Sequence, residues 1–450
     1  MCGSRAFRDG ARGIWHGPRD EHSARRLGVG CRAPRCLCVG QPPSRDARIA
    51  HTAAVRYASL TTRLHGGGSR AWDVHERACV LAAEGRDVIL LSIGEPDFPA
   101  PPHVVTALVD SIEAGRNYYT PSAGELPLRR AIAKHVERYA RRPITAGNVV
   151  FLPGAQAALF AVMIVLAEQG DEILLPEPAY ATYEGVMATT GASVVHVPLH
   201  ASREFGIDPA DVAGRITERT RVLVLNTPHN PTGARIGAGV LAELGALARE
   251  HDLWIVSDEV YADLVYEGEH DSALAIRGCE DRVAIVGSLS KSHAMTGFRH
   301  GWLVGPAELV DHVDALLQSM LFGSPPFIQD AGIAALTGPQ EVIAAMREAY
   351  ARRARLVVEA LRDVPGIAPH APEAGMFVMA DVRGSGMPAL EWAMALLEAE
   401  GVSVTPTDGF GPSGAGHVRI GLVADDERLA EACRRIAAFQ GSRAPQTISA

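Results

Sequence analysis

At 450 residues with 47% apolar side chains, the chain is long and apolar enough to bury a large core and is expected to form one large or two moderate globular bodies. Its net charge of -9 argues against a nucleic-acid partner. No apolar run approaches the roughly 20 residues that cross a bilayer, so no membrane partner is expected either. Four cysteines (Cys2, Cys31, Cys36, Cys38) crowd the N-terminus at spacings that match no common zinc pattern, so no metal site is expected. The other three read as ordinary core or helix cysteines of a cytoplasmic protein.

Residues 1–54 are rich in Arg, Gly, Pro and Cys, follow neither a helical nor a strand period, and lack the apolar stretch of a secretory signal. They are expected to be disordered or an over-extended reading frame. Val55 opens the first regular sequence, and no methionine lies between Met1 and Met163 to offer a later start. An amphipathic helix follows in "AWDVHERACVLAAEG", and "LRRAIAKHVERYARR" is a second helical pattern with a solvated face. Short β-branched runs then recur in "VVFLPG", "EILLPEP", "RVLVLNTP", "WIVSDEV", "VAIVGS" and "GWLVG". Helix-period segments such as "GAGVLAELGALAREHD" lie between most of them, which is the pattern of a mostly parallel α/β sheet covered on both faces. From about Tyr350, "RRARLVVEALRDVPG", the β-rich "GMFVMADV" and a final helix after "GHVRIGLV" suggest a smaller α+β body.

Ligands of such sheets bind beyond the carboxyl ends of the strands, and chemistry-bearing residues stand there. After "VVFLP", the glycine of "GAQAALF" leads directly into a helix, either an ordinary turn or an anion site made by free N–H groups. Tyr180 follows "EILLPEP" and either packs or faces a ligand. Asn230 precedes Pro231, whose ring restricts it to extended geometry and aims its amide out of the sheet edge. Asp258 ends a strand buried on both faces, where a carboxylate needs a cationic partner, such as a cofactor ring nitrogen, or must take up a proton. Tyr261 can reach the same ligand.

The chain holds only two lysines. Lys134 lies on the solvated helix face, but Lys291 sits in "SLSKSHAMTGFRHGW" between two serines. A desolvated amine can lose its proton and attack a carbonyl to form a Schiff base, which a guanidinium cannot do. Ser288, Ser290 and Arg299 around it make a phosphate clamp. Arg419, inside the apolar "GHVRIGLV", would be costly unpaired and calls for an anion such as a substrate carboxylate. A Schiff-base lysine, a phosphate cradle, an acid for a ring nitrogen and an arginine for a carboxylate are together what pyridoxal 5'-phosphate requires.

The stretches "LSIGEPDF", "YYTPSAGELPLRRAIA", "GAQAALF", "NTPHNPTG", "SDEVY", "SLSKSHAMTGFRHGW" and "GHVRI" resemble the fold-type I pyridoxal-phosphate aminotransferases of class I, from about Val55 to the final helix. The resemblance implies a large cofactor-binding domain over 106–344 with a mostly parallel seven-stranded sheet. It implies a smaller α+β domain with an N-terminal arm over 55–105 and 345–450. Lys291 would be the Schiff-base lysine and proton carrier, Asp258 the partner of the pyridine nitrogen, and Tyr180 the residue stacked on the ring. Asn230 and Tyr261 would donate to the phenolate oxygen. The phosphate would be held by the Ala155 and Gln156 backbone, Ser288, Ser290 and Arg299, joined by Tyr119 of a neighbouring subunit, which implies a homodimer. Arg419, with Asn230 and the Gly94 amide, would grip the substrate α-carboxylate.

Within the family, the wording of "GSPPFIQDA" and "FGPSGAGHVRIGLV" implies transamination from L-arginine or a similar amino acid to pyruvate. The segment "TPSAGE" departs from that wording and leaves aromatic, neutral and aspartate donors open, although Gln156 stands where some aspartate-specific relatives carry a lysine. Glu95, Asp97 and Glu125 are the acids to consider for a guanidinium side chain, against a surface or capping role. A β-eliminating lyase on the same scaffold is the alternative reaction. A cofactor-sensing transcription regulator would need an N-terminal DNA-binding domain, which residues 1–54 lack the apolar content to fold.

Overall fold

The computed structural model describes residues 56–64 and 72–442, so the expectations for residues 1–54 and for a start at Val55 lie outside the described residues. Among the described residues no helix is long and apolar enough to cross a membrane, and no group of three His, Cys, Asp or Glu side chains is arranged to hold a metal ion.

Among the described residues thirteen strands form three sheets. In chain order they are β1 (Ile89–Leu90), β2 (Val149–Leu152), β3 (Glu172–Glu177), β4 (Ser193–Pro198), β5 (Thr220–Asn226), β6 (Trp254–Asp258) and β7 (Val283–Ser288). They continue as β8 (Gly301–Val304), β9 (Ala368–Pro369), β10 (Phe377–Asp381), β11 (Val402–Ser403), β12 (Thr405–Pro406) and β13 (His417–Gly421). The seven-stranded sheet has the order β2-β8-β7-β6-β5-β3-β4.

Side-chain alternation explains why the large sheet is buried on both faces. Val149 and Phe151 of β2 join one apolar cluster with Leu223, Ile255 and Ile285, whereas Val150 and Leu152 join a second with Val222, Val256 and Val286. Successive side chains of a strand point to opposite faces, so near-continuous apolar runs fill a helix-covered layer on each side. Each buried Leu, Val or Phe contributes about 1.5–3 kcal/mol, which is why these runs dominate the choice of fold.

One strand departs from the parallel pattern. β8 pairs antiparallel with both β2 and β7, so "GWLVG" is not a further crossover unit. The connection from Ser288 to Gly301 holds only single helical turns, whereas a parallel return is usually made by a full crossover helix. This reversal folds the segment carrying Lys291 and Arg299 back over the strand ends.

The second sheet is antiparallel in the order β12-β13-β10-β9, and β1 pairs in parallel with β11 beside it. Its core, including Tyr350, Trp392 and Phe377, is covered by the 21-residue helix Glu341–Leu361 and by Asp426–Gly441. The last helix starts at Asp425, whose carboxylate accepts from the Arg428 amide as an N-cap.

Candidate active site

Asp258 is the last residue of β6 and Ser288 the last of β7, while Gly154 follows the end of β2, so all three meet at one edge of the large sheet. Ser288 N-caps the single-turn helix Leu289–Ser292 by accepting from the Ser290 amide at 3.0 Å, and this turn presents Lys291. Lys291 Nζ donates to the Gly94 carbonyl at 2.5 Å. Burial, with Arg419 nearby, lowers its pKa to about 8, so a substantial neutral fraction exists near neutrality. Lys134, by contrast, lies on the surface against Glu137 at 3.3 Å.

A cradle for an anion lies at the start of helix Ala155–Leu166. Its N-cap is Gly154, at φ +90°, and no side chain caps the exposed N–H groups. A Cβ on Gly154 would stand 2.4 Å from Arg299 Nη2, so the glycine leaves just enough room for the guanidinium. Arg299 adopts a left-handed backbone (φ 52°) and is anchored by donating from Nη1 to the Thr296 carbonyl at 2.9 Å. Ser288 Oγ donates to the His300 carbonyl at 2.7 Å and lies 2.8 Å from Ser290 Oγ, which places both hydroxyls in this corner. Gln156 is at the same helix start, and its side chain accepts from the Thr182 hydroxyl at 3.1 Å. Gly154→Ala is expected to displace Arg299 and to weaken cofactor binding by roughly 10²-fold with little change in fold, as read by fluorescence titration of the apoenzyme.

Asp258 is buried at 7% exposure and makes no ion-pair contact among the described residues, with Lys291 the nearby cation. It accepts from the Tyr183 hydroxyl at 2.5 Å and the Val260 amide at 3.2 Å. Burial pushes its pKa up to about 6 against the lowering effect of these bonds, so a protonated ring nitrogen would be a favourable partner. Tyr183 was not anticipated. The sequence offered only the spacing Tyr180–Tyr183 after β3, and the meeting with Asp258 depends on β3 and β6 flanking β5. Tyr180 is half-buried and stands edge-on to Tyr183 and Phe410, with centroids 5.9 and 6.4 Å apart. Tyr261 is buried edge-on to Phe377 at 6.0 Å, and burial raises the pKa of its phenol.

Arg419 is 1% exposed and forms no ion pair with a carboxylate among the described residues. Its Nη1 donates to Asn230 Oδ1 at 2.8 Å, Nη2 to the Ser92 carbonyl at 3.3 Å, and Nε is left without a partner. Its guanidinium lies 4.2 Å from the Phe377 ring centroid. A buried, incompletely satisfied cation of this kind is strongly favoured by an incoming carboxylate. Asn230 is itself fixed by donating from its amide to Asn226 Oδ1 at 2.8 Å.

The three acids considered for a cationic donor separate clearly. Asp97 forms a bidentate pair with Arg353, both bonds at 2.9 Å, and Glu125 pairs with Arg116 while its backbone caps helix Leu126–Ala140. These two are thus engaged in ion pairs, in keeping with the surface or capping role weighed for them, with Arg116 only nine positions from Glu125 and Arg353 256 positions from Asp97. Glu95 remains beside Lys291 and accepts from the Thr296 hydroxyl at 2.7 Å. Tyr119 does not enter this site within one chain: it is 86% exposed and stacks edge-on with Phe322 at 5.1 Å.

The residues present fit pyridoxal phosphate. An anion corner, a buried acid without an ion-pair contact and a buried arginine with an orphaned Nε converge around the desolvated amine of Lys291. Residues 86–436 match the family described as aminotransferase class I and II. The chain is 48% identical over 383 residues to the arginine–pyruvate transaminase of Pseudomonas aeruginosa, a match covering 85% of this chain and 98% of that one. It is 36% identical to the aspartate/prephenate aminotransferase of Cereibacter sphaeroides, covering 81% and 94%. A crystallised single mutant of Thermus thermophilus aspartate aminotransferase superposes with a TM-score of 0.81 at 32% identity, covering 86% of this chain and all of that one. On these matches the chain belongs to the class I and II aminotransferases, enzymes that work with pyridoxal phosphate.

Proposed function

We propose that the enzyme transfers the α-amino group of L-arginine, or an amino acid like it, to pyruvate, giving the 2-oxo acid and L-alanine in two half-reactions. The observation that supports this donor is the 48% identity to the Pseudomonas aeruginosa enzyme across nearly its whole length, against 36% for the aspartate/prephenate relative. Bound pyridoxal phosphate supplies an aldehyde carbon that condenses with amines and a ring that accepts the electron pair left when Cα is deprotonated.

The chain's own residues take the following parts. Arg419 receives the substrate α-carboxylate, which supplies the anion its buried guanidinium lacks, and Asn230 holds it in place through the 2.8 Å bond. The Gly94 amide adds a backbone donor to the same carboxylate. Lys291 Nζ, neutral in part because burial depresses its pKa to about 8, would carry the proton from the substrate Cα to the former aldehyde carbon when the amino acid gives up its amine, and back to Cα when pyruvate accepts it. Asp258, steadied by Tyr183, holds a proton at the pyridine nitrogen. Tyr261 and Asn230 donate to the ring oxygen, and Tyr180 covers the ring face. Ser288, Ser290, Arg299 and the amides of Ala155 and Gln156 hold the phosphate.

The exposed aromatics Tyr118, Tyr119 and Phe322, at 81, 86 and 62% exposure, support a homodimer in which Tyr119 reaches the partner's phosphate corner. The unbridged Cys279 and Cys433 are in keeping with a cytoplasmic enzyme.

Holoenzyme given L-arginine without a keto acid is expected to lose its visible cofactor absorption, and pyruvate to restore it with formation of L-alanine. Bleaching by L-aspartate or an aromatic amino acid but not by L-arginine would overturn the donor while leaving transamination intact.

A further inference from the structure

We propose that Asp97 and Arg353 form a clamp that positions residues 92–98 over the active site, making both of them positioning residues for the substrate α-carboxylate. The inference rests on the reading of Arg419 and Gly94 as the carboxylate site.

After the two-residue strand β1, the segment "SIGEPDF" has almost no regular structure of its own to hold it. It nevertheless supplies three groups to the site. The Ser92 carbonyl accepts from Arg419 Nη2 at 3.3 Å and from the Thr405 hydroxyl at 2.6 Å. The Gly94 carbonyl accepts from Lys291 Nζ at 2.5 Å, and the Glu95 carboxylate from the Thr296 hydroxyl at 2.7 Å. A Cβ at Gly94 would stand 2.6 Å from Phe377 Cζ, so the backbone passes directly against the ring that underlies Arg419. The placement of this backbone therefore decides where the Gly94 amide and carbonyl lie relative to both cations.

Three residues beyond Gly94 the chain is tied down. Both Asp97 oxygens accept from Arg353, Nη1 and Nη2 each at 2.9 Å. Arg353 is only 5% exposed, sits on helix Glu341–Leu361, and has its remaining donors engaged: Nε with Asp426 at 3.1 Å and Nη1 also with the Leu422 carbonyl at 2.9 Å. Its guanidinium lies beside the Phe98 and Tyr350 rings, 5.4 and 5.8 Å from their centroids. A planar guanidinium held by two carboxylates, a carbonyl and two rings has one orientation, and it imposes that orientation on Asp97. The irregular segment thus borrows rigidity from the second sheet's helices, while Thr296 and Lys291 hold it from the large sheet.

Such a pair is expected to act on binding geometry more than on chemistry, because neither residue touches the reacting atoms. Asp97→Asn keeps the shape and loses the charge, and Arg353→Lys keeps the charge and loses the fork. Each is expected to raise KM for the amino acid that the wild type transaminates by roughly 10- to 100-fold, with kcat within about threefold. Amides of residues 92–98 should exchange with deuterium faster in both variants, and the cofactor Kd should stay within about twofold of wild type. Unchanged KM and unchanged exchange overturn the proposal, as does a fall in Tm with KM preserved, which would make the pair purely structural. Arg419→Ala is measured alongside: if it leaves KM unchanged, the carboxylate site itself is misplaced. If Arg419→Ala raises KM and Asp97→Asn does not, only the clamp fails.

Discussion

Lys291→Arg abolishes turnover, by at least about 10⁴-fold, while Lys134→Arg leaves it unchanged. The two substitutions are chemically identical, and their environments decide the outcome. Lys134 is an exposed member of an i,i+3 pair with Glu137, worth a few tenths of a kcal/mol at most, and arginine can take its place. Lys291 lies buried between Asp258, Glu95 and the cations Arg419 and Arg299. Its amine can shed a proton at about pH 8, whereas a guanidinium there would remain charged, could not condense with an aldehyde and could not shuttle the Cα proton. Circular dichroism and Tm of the variant should match wild type, since arginine can still donate to the Gly94 carbonyl. Residual turnover above about 1% of wild type would show that another group moves the proton.

Asp258→Asn separates stability from activity. In the apoenzyme the raised pKa means that the folded state holds a proton on Asp258 more tightly than the unfolded chain does. Its favourable contribution is complete below about pH 4 and is lost as pH rises through about 6. At pH 7 and above, the ionised carboxylate therefore costs the apoenzyme up to about 3 kcal/mol, from a shift of roughly two units. Asparagine is neutral and can still accept from Tyr183, so the apo variant should melt higher by several degrees at pH 7.5 and by little at pH 4.5. Its turnover should fall roughly 10³-fold, because no carboxylate remains to hold a proton at the ring nitrogen. Differential scanning calorimetry across this pH range, beside steady-state rates, checks both halves. A lower apo Tm at pH 7.5 would mean that Asp258 is already compensated within the chain.

What could be read from the chain alone was local. Apolar runs announced the strands, and the residues just past them (Asp258, Ser288, Lys291) are at the sheet edge because the strand ends there. A buried arginine inside "GHVRIGLV" could be expected to lack an internal acid, as Arg419 does. Partners distant in sequence could not be read this way. Arg419 meets Asn230 across 189 positions, and the assignment of both to one site came from family resemblance rather than from spacing. Arg353 meets Asp97 across 256 positions, so the ion pair that engages this acid could not be read from the sequence. Tyr183 escaped notice because nothing local distinguishes its phenol from that of Tyr180, and only the order of β3, β5 and β6 brings one of them to Asp258. The reversal of β8 was not legible from spacing, since the connection over residues 289–300 is long enough for a crossover and only its break into single helical turns excludes one.

The most direct test is to reduce the holoenzyme with borohydride, digest it and locate the cofactor mass by tandem mass spectrometry. The mass is expected on Lys291, within the peptide that contains Ser290 and Ser292, with none on Lys134. Cofactor attached to Lys134, or retained by the protein without reducible attachment to either lysine, would contradict the account.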